Sequence, residues 1–504
     1  MNVEAYPPPN WPRIFSDNPG RLRWIALIIY VLFLNLWGLG RHGLFEPDEG
    51  RYANMALEFL EPEHDRLEPT LSDVSHFDKP PLIYWMTGAS IAVFGVNEFA
   101  ARLPSVVGSF LGLAGVALLA FRLHGEKAAW WGVLVFATTL QCWALARLLS
   151  PDMLLCGLCT LGAGCCLGGV SGSRFCWWCA GAILWSLAWW DKATACLVPL
   201  FALTVALHLS GRQDLLARLR PFRLFLTILI LGSPWYVLMM VRHGELNGFF
   251  FHRELAGRVL GHVDGRSGFP GFHFVTAAVL WLPWWPLAIR GILASPDFKQ
   301  SRSWKERLRS IPFEFIVALL VLTVFSFISS KLITYTVTGA PWLAAGIGGC
   351  LKNKRFSPKG LEGRLLVLGA VFVVAVVMLL PRFEASLGVN SSTRKVVETS
   401  RQLGGKTWIC DRFLPGMEFY AGESVYYVNT ESLVQVRESP GQMPDKHFKT
   451  DKEVASLVES SGEGVWLVQS RKMAPNWISK LVEGSEGVPT EPVVVGDFKL
   501  WKVR

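Results

Sequence analysis

The apolar residues of this chain are gathered into blocks close to twenty residues long, and that feature restricts it to the polytopic membrane class. A charge-free run covers Trp24 to Leu39, and similar runs follow at Phe99 to Phe121, Ala128 to Leu145, Met153 to Val170 and Phe175 to Trp190. Blocks near Ala193 to Leu209, Leu224 to Val241, Val275 to Ile289, Phe313 to Ile328, Gly339 to Cys350 and Leu365 to Leu380 bring the expected number of spans to about eleven. A Pro-rich polar stretch precedes the first run, which therefore reads as a retained anchor and not as a cleaved signal.

A net charge of +9 could suggest nucleic acid, but the placement of the basic residues excludes it. Arg13, Arg21 and Arg23 precede the first span, and Arg122 with Lys127, Arg174, and Arg212 through Arg223 follow every second crossing. Arg302 to Arg309 and Lys352 to Lys359 fall on the same side, so the positive-inside rule places the N-terminus in the cytoplasm and the last exit outward. All ten cysteines except Cys410 lie in or beside apolar spans, which predicts no disulfide framework. Cys156/Cys159 and Cys176/Cys179 have metal-ligand spacing, yet in membrane sequence they read as small apolar residues.

After Arg382 the hydropathy falls and short strand-like runs appear at Thr407 to Cys410, Ser424 to Val428, Gly464 to Val468 and Val493 to Trp501. The expected organisation is an all-α membrane domain over 1–381 and a small extracytoplasmic α/β domain over 382–504. The first outer loop, 41–97, is too long to be a connector. It holds a helix-like run from Pro47 to Leu60 and an aromatic amphipathic segment from Pro80 to Phe94, suited to a membrane surface.

On this topology the charged residues close to span ends collect on the outer face: Asp48, Glu49, Asp78, Lys79, Asp152, Asp191, Lys192, the loop group His252, Arg253, Glu254, Arg258, His262 and Asp264, and Lys331 with Tyr335. Ionisable groups at membrane depth are costly to desolvate, which makes them candidates for a charged-substrate site. Basic groups with tyrosine hydroxyls at a lipid boundary suit a phosphate head group. Asp48 and Glu49 read equally as helix-dipole partners or as a carboxylate that takes a proton from an attacking hydroxyl or amine. Lys79 is either a snorkelling anchor or, with Asp78, part of a phosphate or metal site. Asp152 is a helix cap or a functional carboxylate. Lys192 and Lys331 stand where positive-inside statistics disfavour lysine, which favours carrier-phosphate binding. His252 and His262 read as ordinary loop residues or as metal ligands. A transporter would place its charges near the midplane on broken helices, often with inverted repeats, which this sequence does not show.

The segments Glu46-Pro47-Asp48-Glu49-Gly50-Arg51-Tyr52, Phe77-Asp78-Lys79-Pro80-Pro81-Leu82-Ile83-Tyr84-Trp85 and Ala101-Arg102-Leu103-Pro104-Ser105, in that order, resemble the ArnT-like branch of the GT-C glycosyltransferases. Asp152 to Leu155, Asp191-Lys192, Phe250 through Arg258 and Ser330 to Tyr335 extend the resemblance. That branch includes the 4-amino-4-deoxy-L-arabinose transferases of lipid A and is related to the protein O-mannosyltransferases. The resemblance implies a helical bundle of about 11–13 transmembrane helices with a small α/β domain. It also implies a bacterial inner membrane, a polyprenyl-phosphate sugar donor and a lipid or protein acceptor. It makes Asp48 the leading acceptor-activating carboxylate, with Glu49 beside it and Asp152 as a second essential carboxylate. Tyr52, Lys79, Lys192, Arg258, Lys331 and Tyr335 become substrate or carrier-phosphate contacts. The family's metal would fall to Asp78, but the histidine expected as its partner is Leu255 here, which cannot ligate.

Overall fold

The computed structural model describes residues 18–168, 173–244, 268–352, 392–422, 425–428, 451–461, 464–470 and 491–503, with Lys449 and parts of 246–250 and 364–379. The chain divides into two compact units: a helical one, Met1–Trp37 with Pro104–Val374, and a mixed one, Gly38–Leu103 with Ala375–Arg504. Hydropathy alone would place the first loop with the membrane helices, whereas packing groups it with the carboxy-terminal segment.

Among the described residues four helical stretches are long and apolar enough to cross a membrane: Glu98–His124, Pro151–Gly168, Arg174–Leu209 and Gln213–Arg242. Two bent pairs, Phe272–Leu280 with Trp285–Ala294 and Trp304–Ser310 with Phe313–Phe327, bring the number to six. The number is smaller than that of the apolar blocks in the sequence, for physical reasons. The blocks on either side of Asp191-Lys192 are joined by a 3-10 turn, Ala193–Cys196, into one stretch. The block from Ala128 to Leu145 breaks at Thr138 and Thr139 into helices Glu126–Ala137 and Leu140–Leu145, and both hydroxyls donate back to the preceding turn, to Leu134 O and Val135 O at 2.6 and 2.7 Å. Pro283, which has no N–H to give a helix, lies within the break of the first bent pair. The block from Leu365 to Leu380 falls partly outside the described residues.

Small residues set the packing of the helical unit, as is usual where helices cannot rely on water to drive them together. Helix Pro151–Gly168 is buried along nearly its whole length. A side chain at Gly108 would meet the Leu154 backbone at 2.6 Å, and one at Gly157 would run into the Gly108 carbonyl. Gly162 accommodates the Trp185 ring in the same way.

The mixed unit contains a two-residue hairpin, β1 (Thr70–Leu71) with β2 (Val74–Ser75), and a five-stranded sheet. The sheet comprises β3 (Thr407–Cys410), β4 (Val425–Tyr427), β5 (Val465–Ser470), β6 (Val493–Val495) and β7 (Phe498–Lys502), in the order β4-β3-β5-β7-β6. β3 runs parallel to β4 and β5, while β7 is antiparallel to β5 and β6. β3 and β5 are buried throughout, as the continuous apolar runs of doubly covered strands require. Trp408, Trp466, Tyr427 and Phe498 fill one face, where the Trp408 indole N–H donates to Ser400 Oγ at 2.7 Å. The first loop joins this unit through Glu418, whose carboxylate accepts from Asn54 Nδ2 and Ser72 Oγ at 2.6 Å each and from Tyr427 Oη at 2.7 Å.

Gly157→Ala is expected to cost about 1–3 kcal/mol through overpacking. The control Gly244→Ala, at a site with nothing within 4 Å, should be near neutral. Thermal unfolding midpoints of the detergent-solubilised proteins decide this, and equal midpoints would contradict the packing account.

Candidate active site

In the helical unit three of the expected site residues come together. Ser150 Oγ accepts the Asp152 backbone N–H at 3.3 Å, so the serine caps helix Pro151–Gly168, and its hydroxyl lies 3.5 Å from Asp152 Oδ2. The Asp152 carboxylate reaches Lys192, with Nζ 2.5 Å from Oδ1. The same ammonium lies over the Tyr335 ring, 4.8 Å from its centroid, a cation–π arrangement that a partly desolvated lysine strengthens. Tyr335 rides on the 3-10 segment Ile333–Gly339, which Gln141 holds by donating to Ile333 O at 2.7 Å and Thr336 Oγ1 at 2.9 Å. The Trp281 indole N–H fixes Gln141 in turn, at 2.7 Å from Oε1. Sequence reading missed Gln141, because a single glutamine in an apolar block carries no signal of a partner nearly two hundred residues away.

Lys331 is used differently. Its ammonium donates to the carbonyls of Ser326 and Ile328 at 2.5 and 2.6 Å, capping the carboxy end of helix Phe313–Phe327. Its expected role as a phosphate contact has no support in this geometry. Arg258, with His252, His262 and Leu255, lies outside the described residues.

The mixed unit holds the second cluster. Helix Asp48–Glu58 carries Asp48 and Glu49 in its first turn, where their charge complements the dipole, but the two side chains have different fates. Glu49 is buried and pairs with Arg102, Nε to Oε1 at 2.9 Å and Nη2 to Oε2 at 2.7 Å, while Oε2 also accepts the Phe45 N–H. Asp48 is 63% exposed and accepts from Arg51 Nη2 at 3.0 Å. Arg51 Nη1 stands 3.9 Å from Asp78 Oδ2, and Lys79 Nζ is 3.0 Å from Asp78 Oδ1. Lys79 is buried, which rules out the snorkelling anchor. The Arg51 guanidinium covers the Tyr52 ring at 5.2 Å, and Tyr52 packs on Tyr84 at 6.0 Å. The result is a chain of alternating charge, Asp48, Arg51, Asp78 and Lys79, whose first carboxylate is the more open to solvent, at 63% against 19% for Asp78. Asp78 is engaged by two cations, and Leu255 offers no donor atom. His252 and His262, which could stand in for the missing histidine ligand, lie outside the described residues.

The sequence profile described as dolichyl-phosphate-mannose-protein mannosyltransferase matches residues 78–238. An undecaprenyl phosphate-alpha-4-amino-4-deoxy-L-arabinose arabinosyl transferase 2 of Proteus mirabilis is 22% identical over 73% of this chain and 67% of its own length. The corresponding transferase of Pseudomonas paraeruginosa is 27% identical over 62% of this chain, and the match spans 57% of that protein. Among solved structures, ArnT from Cupriavidus metallidurans in the apo state superposes with a TM-score of 0.75 at 19% identity, covering 97% of this chain and 99% of that one. The same protein bound to undecaprenyl phosphate gives a TM-score of 0.72 at 20% identity. The chain is ArnT-like in fold and similar in sequence to these glycosyltransferases.

In this ArnT-like transferase the residue that opens the first motif, Glu46, also has an unusual environment. The residue as a whole is half-buried, but its Oε2 is shielded from solvent and without a hydrogen-bond partner, while Oε1 accepts from Thr393 Oγ1 at 3.1 Å. Burial pushes its carboxyl from the ordinary 4.5 up to about 8, and Glu418 adds to this against the opposing effects of Thr393, the Gly416 backbone and Arg412. Glu58 is pushed to about 8 by burial and by Glu418. A raised folded-state pKa means that the folded form keeps its proton where the unfolded chain has released it. The stability contribution is therefore complete below about 4.5 and is lost as pH rises through about 8. The unfolding midpoint should accordingly fall between pH 5 and pH 8, and Glu46→Gln should make that fall shallower. A variant with the wild-type slope would show that Glu46 is not held protonated.

Proposed function

We propose that this transferase moves a sugar from a polyprenyl-phosphate carrier, undecaprenyl phosphate, to a lipid A-type or other cell-envelope acceptor at the outer face of a bacterial inner membrane. The observation that carries the reading is Lys192, held by the Asp152 carboxylate and the Tyr335 ring in a fold whose Cupriavidus relative binds undecaprenyl phosphate. The proposed topology is that of a multi-pass protein with a cytoplasmic N-terminus and the carboxy-terminal domain outside.

In the reaction the acceptor oxygen or nitrogen bonds to the anomeric carbon as the bond from that carbon to the carrier phosphate oxygen breaks, with inversion. The phosphodiester leaves as a monoester with one more negative charge, and a cation placed where that charge develops lowers the barrier. Lys192 is assigned that task, with Asp152 and Tyr335 fixing its ammonium. Arg258 is retained from the resemblance as a further phosphate contact. Asp48 is assigned the acceptor proton, because it is the exposed carboxylate of the first motif, whereas Glu49 is committed to Arg102. Tyr52 and Lys79 line the same charge chain and would contact donor or acceptor. A protein hydroxyl as acceptor is the second reading, favoured by the mannosyltransferase profile over 78–238.

The test is transfer of labelled sugar from polyprenyl-phosphate donors by the purified protein, with lipid A and a Ser/Thr-containing peptide offered as acceptors. Asp48→Asn is expected to reduce transfer by about 10²–10⁴-fold, the range of a lost general base. Lys192→Ala should cost about 10²–10³-fold, as for a lost charge-stabilising donor. Folded variants with wild-type rates would remove both assignments, and the acceptor that becomes labelled decides between the two readings.

A further inference from the structure

Below the charge chain, at the far end of helix Asp48–Glu58, three side chains from separate parts of the first loop converge. Glu58 ends the helix, His64 lies in the turn that follows, and Asp73 sits at the tip of the β1–β2 hairpin. One donor atom from each lies within 4.8 Å of the other two. His64 Nε2 is 3.2 Å from Asp73 Oδ1 and 3.1 Å from Glu61 Oε2. Ligands about 2.0–2.1 Å from a tetrahedral ion stand about 3.3 Å apart, a spacing that the His64–Asp73 pair already has.

The buried oxygen of Glu58 is the independent sign. The residue is only 6% exposed. Its Oε1 accepts the Ser72 N–H at 2.6 Å and Asn54 Nδ2 at 3.1 Å, and the Thr70 hydroxyl also stands beside this carboxylate. Its Oε2 is buried with no hydrogen-bond partner. A buried acceptor without a donor is a cost to the fold, and a cation is the partner that offsets it. The surroundings match those of ligated side chains. Thr70 Oγ1 lies 3.2 Å from His64 Nδ1 and can take that nitrogen's proton, leaving Nε2 as the ligand. Asp73 and Glu61 are 26% and 40% exposed at their side chains, which leaves an ion a way in.

We propose that Glu58, His64 and Asp73 bind one divalent transition-metal ion of the zinc type. Its place is structural. The ion ties the hairpin and the Glu61–His64 turn to the helix whose other end presents Asp48. Two carboxylates and an imidazole suit zinc or manganese better than magnesium, which prefers an all-oxygen, largely hydrated shell. The site is separate from Asp78, where the family's metal would fall.

The experiment uses the full-length protein without a polyhistidine tag, stripped with chelator in detergent, then equilibrated with zinc alone and assayed for bound metal by mass spectrometry. Wild type and Asp78→Asn are expected to retain the same zinc, and Glu58→Gln and His64→Ala one equivalent less. Asp73→Asn, at a surface turn that can be replaced without disturbing the core, should bind at least about 10-fold more weakly while eluting as the same monodisperse species. Cobalt in place of zinc should give the intense visible bands of tetrahedral coordination in wild type and lose them in Asp73→Asn. Wild type that retains no zinc, an Asp73→Asn protein with unchanged affinity, or an equivalent lost only in Asp78→Asn would each overturn the proposal.

Discussion

The Arg102 guanidinium has no exposure to solvent, and the amino-terminal part of the mixed unit is arranged around what that charge requires. A buried cation is tolerable only when its charge is matched and its donors are satisfied. Here Glu49 supplies a bidentate carboxylate, and the carbonyls of Leu39, His42 and Gly43 take further N–H groups at 3.0 Å each. The chain from Leu39 to Glu49 thus wraps one side chain. This fixes the start of helix Asp48–Glu58 and with it the position of Asp48. Glu98 plays a related part, accepting from Tyr420 Oη at 3.0 Å and pairing with Arg394 at 3.1 Å, which ties the same region to the carboxy-terminal segment.

Because each buried charge must be matched, the charged residues fall into those that hold the fold and those that can meet a substrate. Glu49 and Lys331 belong to the first group, one as partner to Arg102 and the other as a cap on the carbonyls of Phe325, Ser326 and Ile328. Asp48 belongs to the second by exposure. Lys192 does so by its setting between a carboxylate and an aromatic ring, a place where an anionic phosphate can share the ammonium. The residue types in the two groups are the same, so composition and position along the chain could not separate them.

The apolar blocks were legible because burial of apolar surface leaves a period and a length in the sequence. The strand run at Thr407 to Cys410 was legible for the same reason, whereas the single run expected from Val493 to Trp501 is two antiparallel strands, Val493–Val495 and Phe498–Lys502, turning at Gly496. The breaks in the blocks were less so. One helix is interrupted at Thr138 and Thr139, two polar residues within an apolar block that hydropathy does not register as a break. The pair Asp152 and Lys192 was visible as two separate oddities, each at the edge of an apolar run. Their contact was not, since forty residues and a helix reversal lie between them. Gln141 and the cluster at Glu58, His64 and Asp73 left no local signature at all.

By itself the sequence determined the classes of segment: apolar helices in number, a polar α/β tail, a long charged first loop, and a set of ionisable residues in places where ionisation is costly. It also carried enough ordered motif to show the resemblance to the ArnT-like transferases. Tertiary structure alone decided which carboxylate of the adjacent pair is exposed, which lysine is spent on carbonyls, and that the first loop packs with the carboxy-terminal segment. The reason is physical. Hydropathy and helix dipoles act over a few neighbouring residues and are written locally. The pairing of a buried charge is instead settled by whichever groups the folded chain brings within about 3 Å, at any distance along the sequence.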